Sequence, residues 1–454
     1  MGLRGFVRAQ AASAKLLSAL MLSVILLLAV VTATGCASNK AYKNPVIPAP
    51  PERPLPPVPD GGYTWQQLAN HVIAANQDYN AILADARAVY YRYKSRTDLR
   101  DLQFSLETSL LSEDRRRESY DAGIRFSIPN PFVNRQIIRT GDAARRETET
   151  GAEALKGRIV SAIHELVQEI TIGERELSVL NLREQALSDW AAYLKLRYDA
   201  NMATQADIRE LDLQRLRLKA AVQRVQLSVI AARRSLQVLV QIPEEQLVLN
   251  PFPSDWKSLL ETLEDEEKLI EDIYSRSAEL AGAYAAYQKA IATLGTARAK
   301  QIPWFSSVHL SYSSGALESA SYNYLGELIP ARRKSKWTVG LNVDLPAFAW
   351  FSAEKKMAAA EVEAASLRAS GISRQIRDDM AGIITNLRDT LHFLLDYRTT
   401  YDAIPEPTRE TIPNSESYYK LMDAKLSAAE YTLRIEMQCA QIYSQLLEAA
   451  GVWE

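Results

Sequence analysis

Tyr120-Asp-Ala-Gly-Ile-Arg-Phe-Ser-Ile128 alternates apolar and polar side chains, with Tyr120, Ala122, Ile124 and Phe126 on one parity and Asp121, Gly123, Arg125 and Ser127 on the other. Successive side chains of an extended strand point to opposite faces, so a period of two predicts a β-strand with one apolar and one polar face. Trp337-Thr-Val-Gly-Leu-Asn-Val-Asp-Leu345 repeats the pattern. Partner strands are expected at 103–110 and 306–313, joined to the first two by polar, charged loops at 111–119 and 314–335. Alternation alone fits a half-buried soluble sheet or a membrane barrel, whose strands present an apolar band to lipid and a polar face to water. On the barrel reading Ile124, Phe126, Trp337, Val339 and Leu341 face lipid, whereas Arg125, His309, Asn342 and Asp344 face the pore.

The two strands occupy the same place in two copies of one unit. Tyr120 maps onto Trp337, Ile124 onto Leu341 and Pro129 onto Pro346 at an offset of 217, and Asp207 maps onto Asp423 at 216. Each copy reads helix, strand, loop, strand, proline, very long helix, tip, return helix, and such duplication points to a repeat architecture. The copies cover 63–242 and 256–454, with a Pro-containing linker at 243–255. The helices that lead into the strands are expected at 65–94 and 254–300.

Beyond the strands the apolar period changes. Ile159, Leu166, Gly173, Leu180, Leu187 and Leu194 recur every seven residues; after a break near Asn201 the series resumes as Leu211, Leu218, Val225, Ala232 and Leu239. Such seams predict an antiparallel helical hairpin with coiled-coil packing. No proline stands between Pro131 and Pro243. A helix over 133–200 would run ~100 Å at 1.5 Å per residue, and it needs neighbouring helices along its whole length. A bundle or an oligomeric tube supplies them; a plain coiled-coil stalk would leave the strands unexplained. Four strands cannot close a barrel, because open edges in hydrocarbon leave backbone groups unpaired at several kcal/mol each. Closure therefore demands several chains, and three copies would bring twelve strands.

The first residues read as an address. Arg4, Arg8 and Lys15 precede an apolar run from Leu16 to Val31, and Ala33-Thr34-Gly35 stands directly before Cys36. This layout predicts a signal peptide over 1–35. The small residues followed by cysteine resemble a bacterial lipobox, with Ala33 where Leu is usual, which implies acylation of Cys36. Ordinary signal cleavage and an uncleaved anchor remain the alternatives. Ala37 rather than Asp follows the cysteine, a pattern that in lipoproteins favours the outer membrane. Eight prolines fall between Pro45 and Pro59, so 36–62 reads as a lipid anchor followed by an extended polyproline spacer; a Pro-rich ligand for a partner is the rival reading.

Composition narrows the chemistry. Of 454 residues, 53 are basic and 55 acidic, giving a net charge of -2, so no basic excess points to nucleic acid. Cys36 and Cys439 lie too far apart in sequence to suggest a disulfide framework or a Cys-rich metal site, and Cys439 reads as a buried thiol. His71, His164, His309 and His392 are scattered, without metal-ligand spacing. No nucleophile elbow or phosphate-cradling glycine loop occurs. Neither an enzyme nor a cofactor or metal site is expected.

At these residues the sequence resembles the TolC-like outer membrane efflux protein family, in its lipoprotein branch, the outer membrane factors of RND-type efflux. The likeness runs over nearly the whole chain beyond Cys36. It is carried by Ile128-Pro-Asn-Pro-Phe132 and Leu345-Pro-Ala-Phe348, where strands return to helix, and by Arg197-Tyr-Asp-Ala-Asn-Met-Ala-Thr-Gln-Ala-Asp207. The last is similar to the family's periplasmic tip, Arg-Tyr followed by a turn and then Ser/Thr and an acidic residue. Asn201 stands where the family usually has Gly, and Asn tolerates the left-handed backbone of a helix-ending turn.

The resemblance implies a mainly α fold with membrane β-strands: a trimeric outer-membrane barrel, four strands per chain, continuous with a long α-helical coiled-coil tunnel in the periplasm. It implies a lipid-anchored homotrimer in the outer membrane of a Gram-negative bacterium, contacting outer membrane lipid. Its role would be the exit duct of a tripartite efflux or type I secretion system, passing small molecules or polypeptides. A periplasmic membrane-fusion adaptor and an inner-membrane transporter would be its partners. Arg197, Tyr198, Asn201, Thr204 and Asp207 would form the adaptor-docking tip. Asp207 and Asp423, expected to open the two return helices, are candidates for a tunnel constriction, with helix capping as the alternative role. The second tip, expected near Pro413, lacks the Arg-Tyr motif, and Pro405 and Pro407 should kink or unwind the helix leading to it. The rival function is a lipid-anchored envelope scaffold or spacer without transport.

Overall fold

The computed structural model describes residues 59, 62–97, 102–110, 118–250, 256–317, 321–322, 328–329, 333–344, 351–408 and 415–450. The signal peptide, Cys36, the polyproline spacer before Pro59, residues 251–255 of the linker, Leu345-Pro-Ala-Phe348 and Pro413 lie outside the described residues.

Helices α1 (Trp65–Ala75) and α2 (Gln77–Lys94) lead to strands β1 (Leu102–Leu110) and β2 (Glu118–Ser127), then to α3 (Pro131–Asp199) and α4 (Gln205–Val240). After a 3-10 turn at Glu244–Gln246 come α5 (Trp256–Leu263), α6 (Glu266–Arg276), α7 (Ala278–Ala299) and β3 (Trp304–Leu317). The short strands β4 (Ser321–Tyr322) and β5 (Leu328–Ile329) precede β6 (Arg333–Asp344), α8 (Phe351–Asp402) and α9 (Ser415–Ala450). The linker is tied back to the segment before the first helix: Tyr63 N–H donates to Val248 O (2.7 Å) and Asn250 N–H to Tyr63 O (3.0 Å).

The structure corrects the leading helices. Residues 65–94 form two helices rather than one, because Asn76 takes an extended conformation (ψ 118°) and its side chain caps α2, accepting from Tyr79 N–H at 2.8 Å. Residues 254–300 were expected as a single helix, yet α5, α6 and α7 are separate. Asp265 accepts from Lys268 N–H (3.4 Å) and Ser277 from Leu280 N–H (3.3 Å). Short polar side chains of this kind compete with the backbone for its N–H groups and start new helices. The 314–335 connection is also more than a loop: β3 continues to Leu317, β6 begins at Arg333, and β4 pairs antiparallel with β5.

The long helix begins where its sequence dictates. Pro131 fills the first helical position, where a missing N–H is harmless, and Asn130 Oδ1 accepts from Phe132 N–H (3.0 Å) and Val133 N–H (3.3 Å). Its 69 residues run ~100 Å. Leu180, Leu187 and Leu194 pack into one buried cluster with Leu211, Leu218 and Val225 of α4, as the heptads require. Gly173 interrupts the apolar series because a β-carbon there would lie 2.6 Å from Val229 Cγ2, so only glycine lets α4 approach. In the second hairpin Ile384, Leu387, Leu391 and Leu394 of α8 are fully buried in a cluster that includes Leu446 and Cys439 of α9.

The buried polar groups of this bundle are structural. His164 of α3 meets Ser444 Oγ of α9 through Nδ1 (2.6 Å) and lies edge-on between Trp65 and Tyr443, ring centroids 5.2 Å away on each side. Burial lowers its pKa to about 4, so it is a neutral packing group joining three helices. Burial likewise pushes the Cys439 thiol up to about 12, where no reactive thiolate forms at neutral pH. Among the described residues no helix is long and apolar enough to cross a membrane, and no group of three or more His, Cys, Asp or Glu is placed to hold a metal ion.

Candidate functional site: a two-faced sheet and a helical tip

Strands β1, β2, β3 and β6 form one antiparallel sheet in the order β1-β2-β3-β6. The two hairpins of the repeat are thus zipped together by β2 and β3, with Ile124 opposite Leu310 and Arg125 opposite His309. Between two irregularities of β3, at Phe305/Ser307 and Ser313/Ala316, the register keeps one parity on each face across all four strands. On the apolar face Trp337, Val339 and Leu341 are 60–67% exposed; Ile124 and Phe126 are exposed as well. Tyr312 packs on Trp337 across the strands, ring centroids 4.8 Å apart. A half-buried soluble sheet would cover this face with core. Here it stands open, and a contiguous exposed apolar surface marks contact with lipid or with another chain.

On the polar face Arg125 is exposed and His309 half-buried at the same register level. Asn342 donates from Nδ2 to Ser307 Oγ (3.0 Å). Asp344 holds the register position opposite Trp304 at the end of the sheet. There Trp304 fastens sheet to helix: its Nε1 donates to Ile128 O (3.2 Å) and its ring meets Phe132 edge-on at 6.1 Å.

The first tip is a closed turn. Asn201 adopts φ 60°, and Met202 N–H returns to Arg197 O at 2.7 Å, a left-handed helix stop. Thr204 then opens α4 with a capping box: Asp207 N–H donates to Thr204 Oγ1 (3.3 Å) and Thr204 N–H to Asp207 Oδ2 (2.7 Å). The backbone hydrogen bond from Thr204 holds the exposed Asp207 carboxyl below the usual carboxylate range. Tyr198 is exposed, and it is flanked by Leu196 and Met202, whose exposures of 68% and 69% exceed anything their apolar side chains require.

Arg197 does not point to solvent. Its Nη1 donates to Glu416 Oε2 (3.0 Å), tying the first tip to the start of the second return helix. Lys420 hydrogen-bonds the same carboxylate at 2.8 Å, and Lys420 and Arg197 together hold Glu416 below its ordinary range. The contact belongs to a series along α3 and α9. Arg183 binds Asp423 (Nε to Oδ1, 2.6 Å) and Glu430 (Nη1 to Oε2, 3.0 Å), and Arg175 Nη1 binds the buried Glu436 at 2.7 Å. The heptads announced neither Arg175, Arg183 nor Glu416 as partners. Charges facing one another from helices more than 200 residues apart leave no local signal.

Asp423 departs from expectation. It does not open the second return helix but lies two turns inside α9, where Arg183 engages it; Asp207, its counterpart by offset, is the third residue of α4. The equivalence in sequence does not carry into structure because the two tips differ in length. Helix α8 stops at Asp402, with a last turn closed by Ile404 N–H to Tyr401 O (3.0 Å). Pro405, Glu406 and Pro407 follow outside any helix, as two missing N–H groups demand. Lys425 of α9 donates to Ile404 O (3.2 Å) and lies over the Tyr401 ring at 5.6 Å, pinning this stretch.

No family model matches the sequence, and no curated protein matches it. Solved structures match over most of the chain. The outer-membrane channel OprN is 15% identical, covering 86% of this chain and 90% of its own, with a TM-score of 0.63. A membrane protein from Pseudomonas aeruginosa is 16% identical (88% and 98% covered, TM-score 0.61), and the outer membrane protein VceC from Vibrio cholerae is 13% identical (86% and 96% covered, TM-score 0.59). At such identities the likeness is one of fold: this chain has the fold of outer membrane channels.

Proposed function

We propose that the chain is a TolC-like outer membrane channel, working as a homotrimer and forming the exit duct of a tripartite efflux or type I secretion assembly. The observation that carries this reading is the uncovered apolar face of a sheet whose outer strands, β1 and β6, have one partner each. Lipid would cover that face, and sister chains would pair the two edges. The polar face, with Arg125, His309, Asn342 and Asp344, would then line the pore. The long hairpins would continue it as a tunnel into the periplasm, with Cys36 as the lipid anchor. An inner-membrane transporter would supply energy through a periplasmic adaptor docked at Arg197, Tyr198, Asn201, Thr204 and Asp207. Asp207, exposed at the tip, would contribute more to a constricting acidic ring than Asp423, whose charge faces Arg183.

Single-channel recording from purified protein in planar bilayers tests the duct. Conductance steps from a trimer are expected; absence of both trimers and conductance would overturn the reading in favour of an envelope scaffold. Substitution of Tyr198 by Ala should weaken crosslinking to the adaptor and leave the trimer intact, and unchanged crosslinking would refute the docking assignment. Cys36→Ser should abolish metabolic fatty-acid labelling.

A further inference from the structure

Gln103, Arg125, His309 and Gly340 stand at one register level across the polar face of the sheet. The two flanking levels carry only Ser, Thr, Asn and Gly among the described residues, and the next holds Glu107, Asp121 and Lys336 together. Among the described residues this level is therefore basic, with no acidic residue at it or at the two levels beside it, and Asp344 holds the end of the sheet beyond Asn342. Arg125 is exposed and has no carboxylate paired with it among the described residues. Its guanidinium brings a positive charge to the polar face.

The level is also shaped. A β-carbon at Gly340 would lie 2.0 Å from His309 Cε1 and 2.3 Å from Nδ1. The imidazole thus lies against the strand in the space a side chain would occupy, turned away from Arg125. A glycine inside a strand marks such a close approach. The arrangement places Arg125 and His309 at one level without crowding them together.

We propose that Arg125, seconded by His309, forms a basic belt around the barrel once sister chains close it, and that the barrel section of the duct consequently favours anionic solutes, opposing the acidic ring at the tip. The proposal rests on the exit-duct reading above. Fixed charges on a pore wall raise the local concentration of the opposite ion and set selectivity. Their reach is about 10 Å at 0.1 M salt, so the preference should be strongest in dilute solution.

Reversal potentials of purified trimers carrying Asp207→Asn, which removes the acidic ring proposed at the tip, decide the matter in a planar bilayer under a KCl gradient, at or below 0.1 M on the dilute side. With Arg125 in place these trimers should prefer Cl⁻ over K⁺. Arg125→Lys should keep that preference, Arg125→Gln should bring the ratio close to one, and Arg125→Glu should invert it, each with trimers and conductance retained. Conducting Asp207→Asn trimers whose reversal potential is the same with Arg125 and with Arg125→Gln, or that prefer K⁺ with Arg125 in place, would overturn the belt and leave the duct standing. Inserted trimers that pass no current would overturn the duct itself, and the anion preference with it.

Discussion

The two hairpin tips hold corresponding places in the repeat and are built on opposite principles. At the first, Asn201 turns the chain in a left-handed step and a Thr204–Asp207 box restarts the helix at once. At the second, α8 stops at Asp402, two prolines hold the chain out of helix, and α9 begins only at Ser415. Along the hairpins themselves both copies keep buried seams, Leu180 to Leu194 in one and Ile384 to Leu394 in the other. Burial constrains the two copies alike. Exposed turns are free of it, so the repeat diverges where its ends meet solvent, and among the described residues the first tip is the compact, capped one. A contact joins them: Arg197 of the first reaches Glu416 of the second.

That contrast can be broken most directly at the prolines. Each proline costs about 3 kcal/mol inside a helix, so Pro405→Ala combined with Pro407→Ala should let α8 run on past Asp402. Hydrogen exchange at 403–408 should then slow markedly; unchanged exchange would mean that something other than the prolines ends the helix. Arg183→Ala tests whether the hairpins are held by the seam or by the tip. It takes the partner from Asp423 and leaves Glu430, 12% exposed, to Arg434 alone, and removing one partner of a largely buried pair costs up to about 3 kcal/mol. Arg197→Ala breaks a more exposed pair and should cost about 1 kcal/mol or less. Equal losses of thermal stability in the two variants would erase the distinction.

Smaller effects sharpen the first tip. Thr204→Ala removes the cap of α4, about 1 kcal/mol, and should speed exchange of the first-turn amides of α4 without touching those of α9. The smallest expected effect is that of acid. Asp207 has a folded pKa below its unfolded value, so the stability it lends is present above the ordinary carboxylate pKa and is lost as pH falls through the depressed one. Exchange at 205–208 should accelerate only below the usual carboxylate range, and Asp207→Asn should remove that dependence.

Much of this was legible in residue order because the signals are local. The parity of Tyr120 to Ser127, the heptads from Ile159 to Leu194 and the Pro-Asn-Pro start of α3 each act within one element. The breaks at Asn76, Asp265 and Ser277 carried a cap signature too, but a polar residue in a helical stretch reads equally well as exposed surface. The offset that equated Asp207 with Asp423 failed because alignment counts residues, while a tip of different length changes which of them begins a helix. Nothing local marked Arg183 as the partner of Asp423 and Glu430.

The sequence by itself determined the two-residue period of β2 and β6, the heptads of α3 and α4, and the two-faced strands that a single chain leaves open, since periodicity and breakers act through the backbone of neighbouring residues. Only the tertiary structure decided which level of the sheet gathers Arg125 with His309 over Gly340, which carboxylates of α9 meet the arginines of α3, and where the second return helix begins. Those facts depend on register between segments far apart in the chain, and register is set by packing across helices and strands rather than along them.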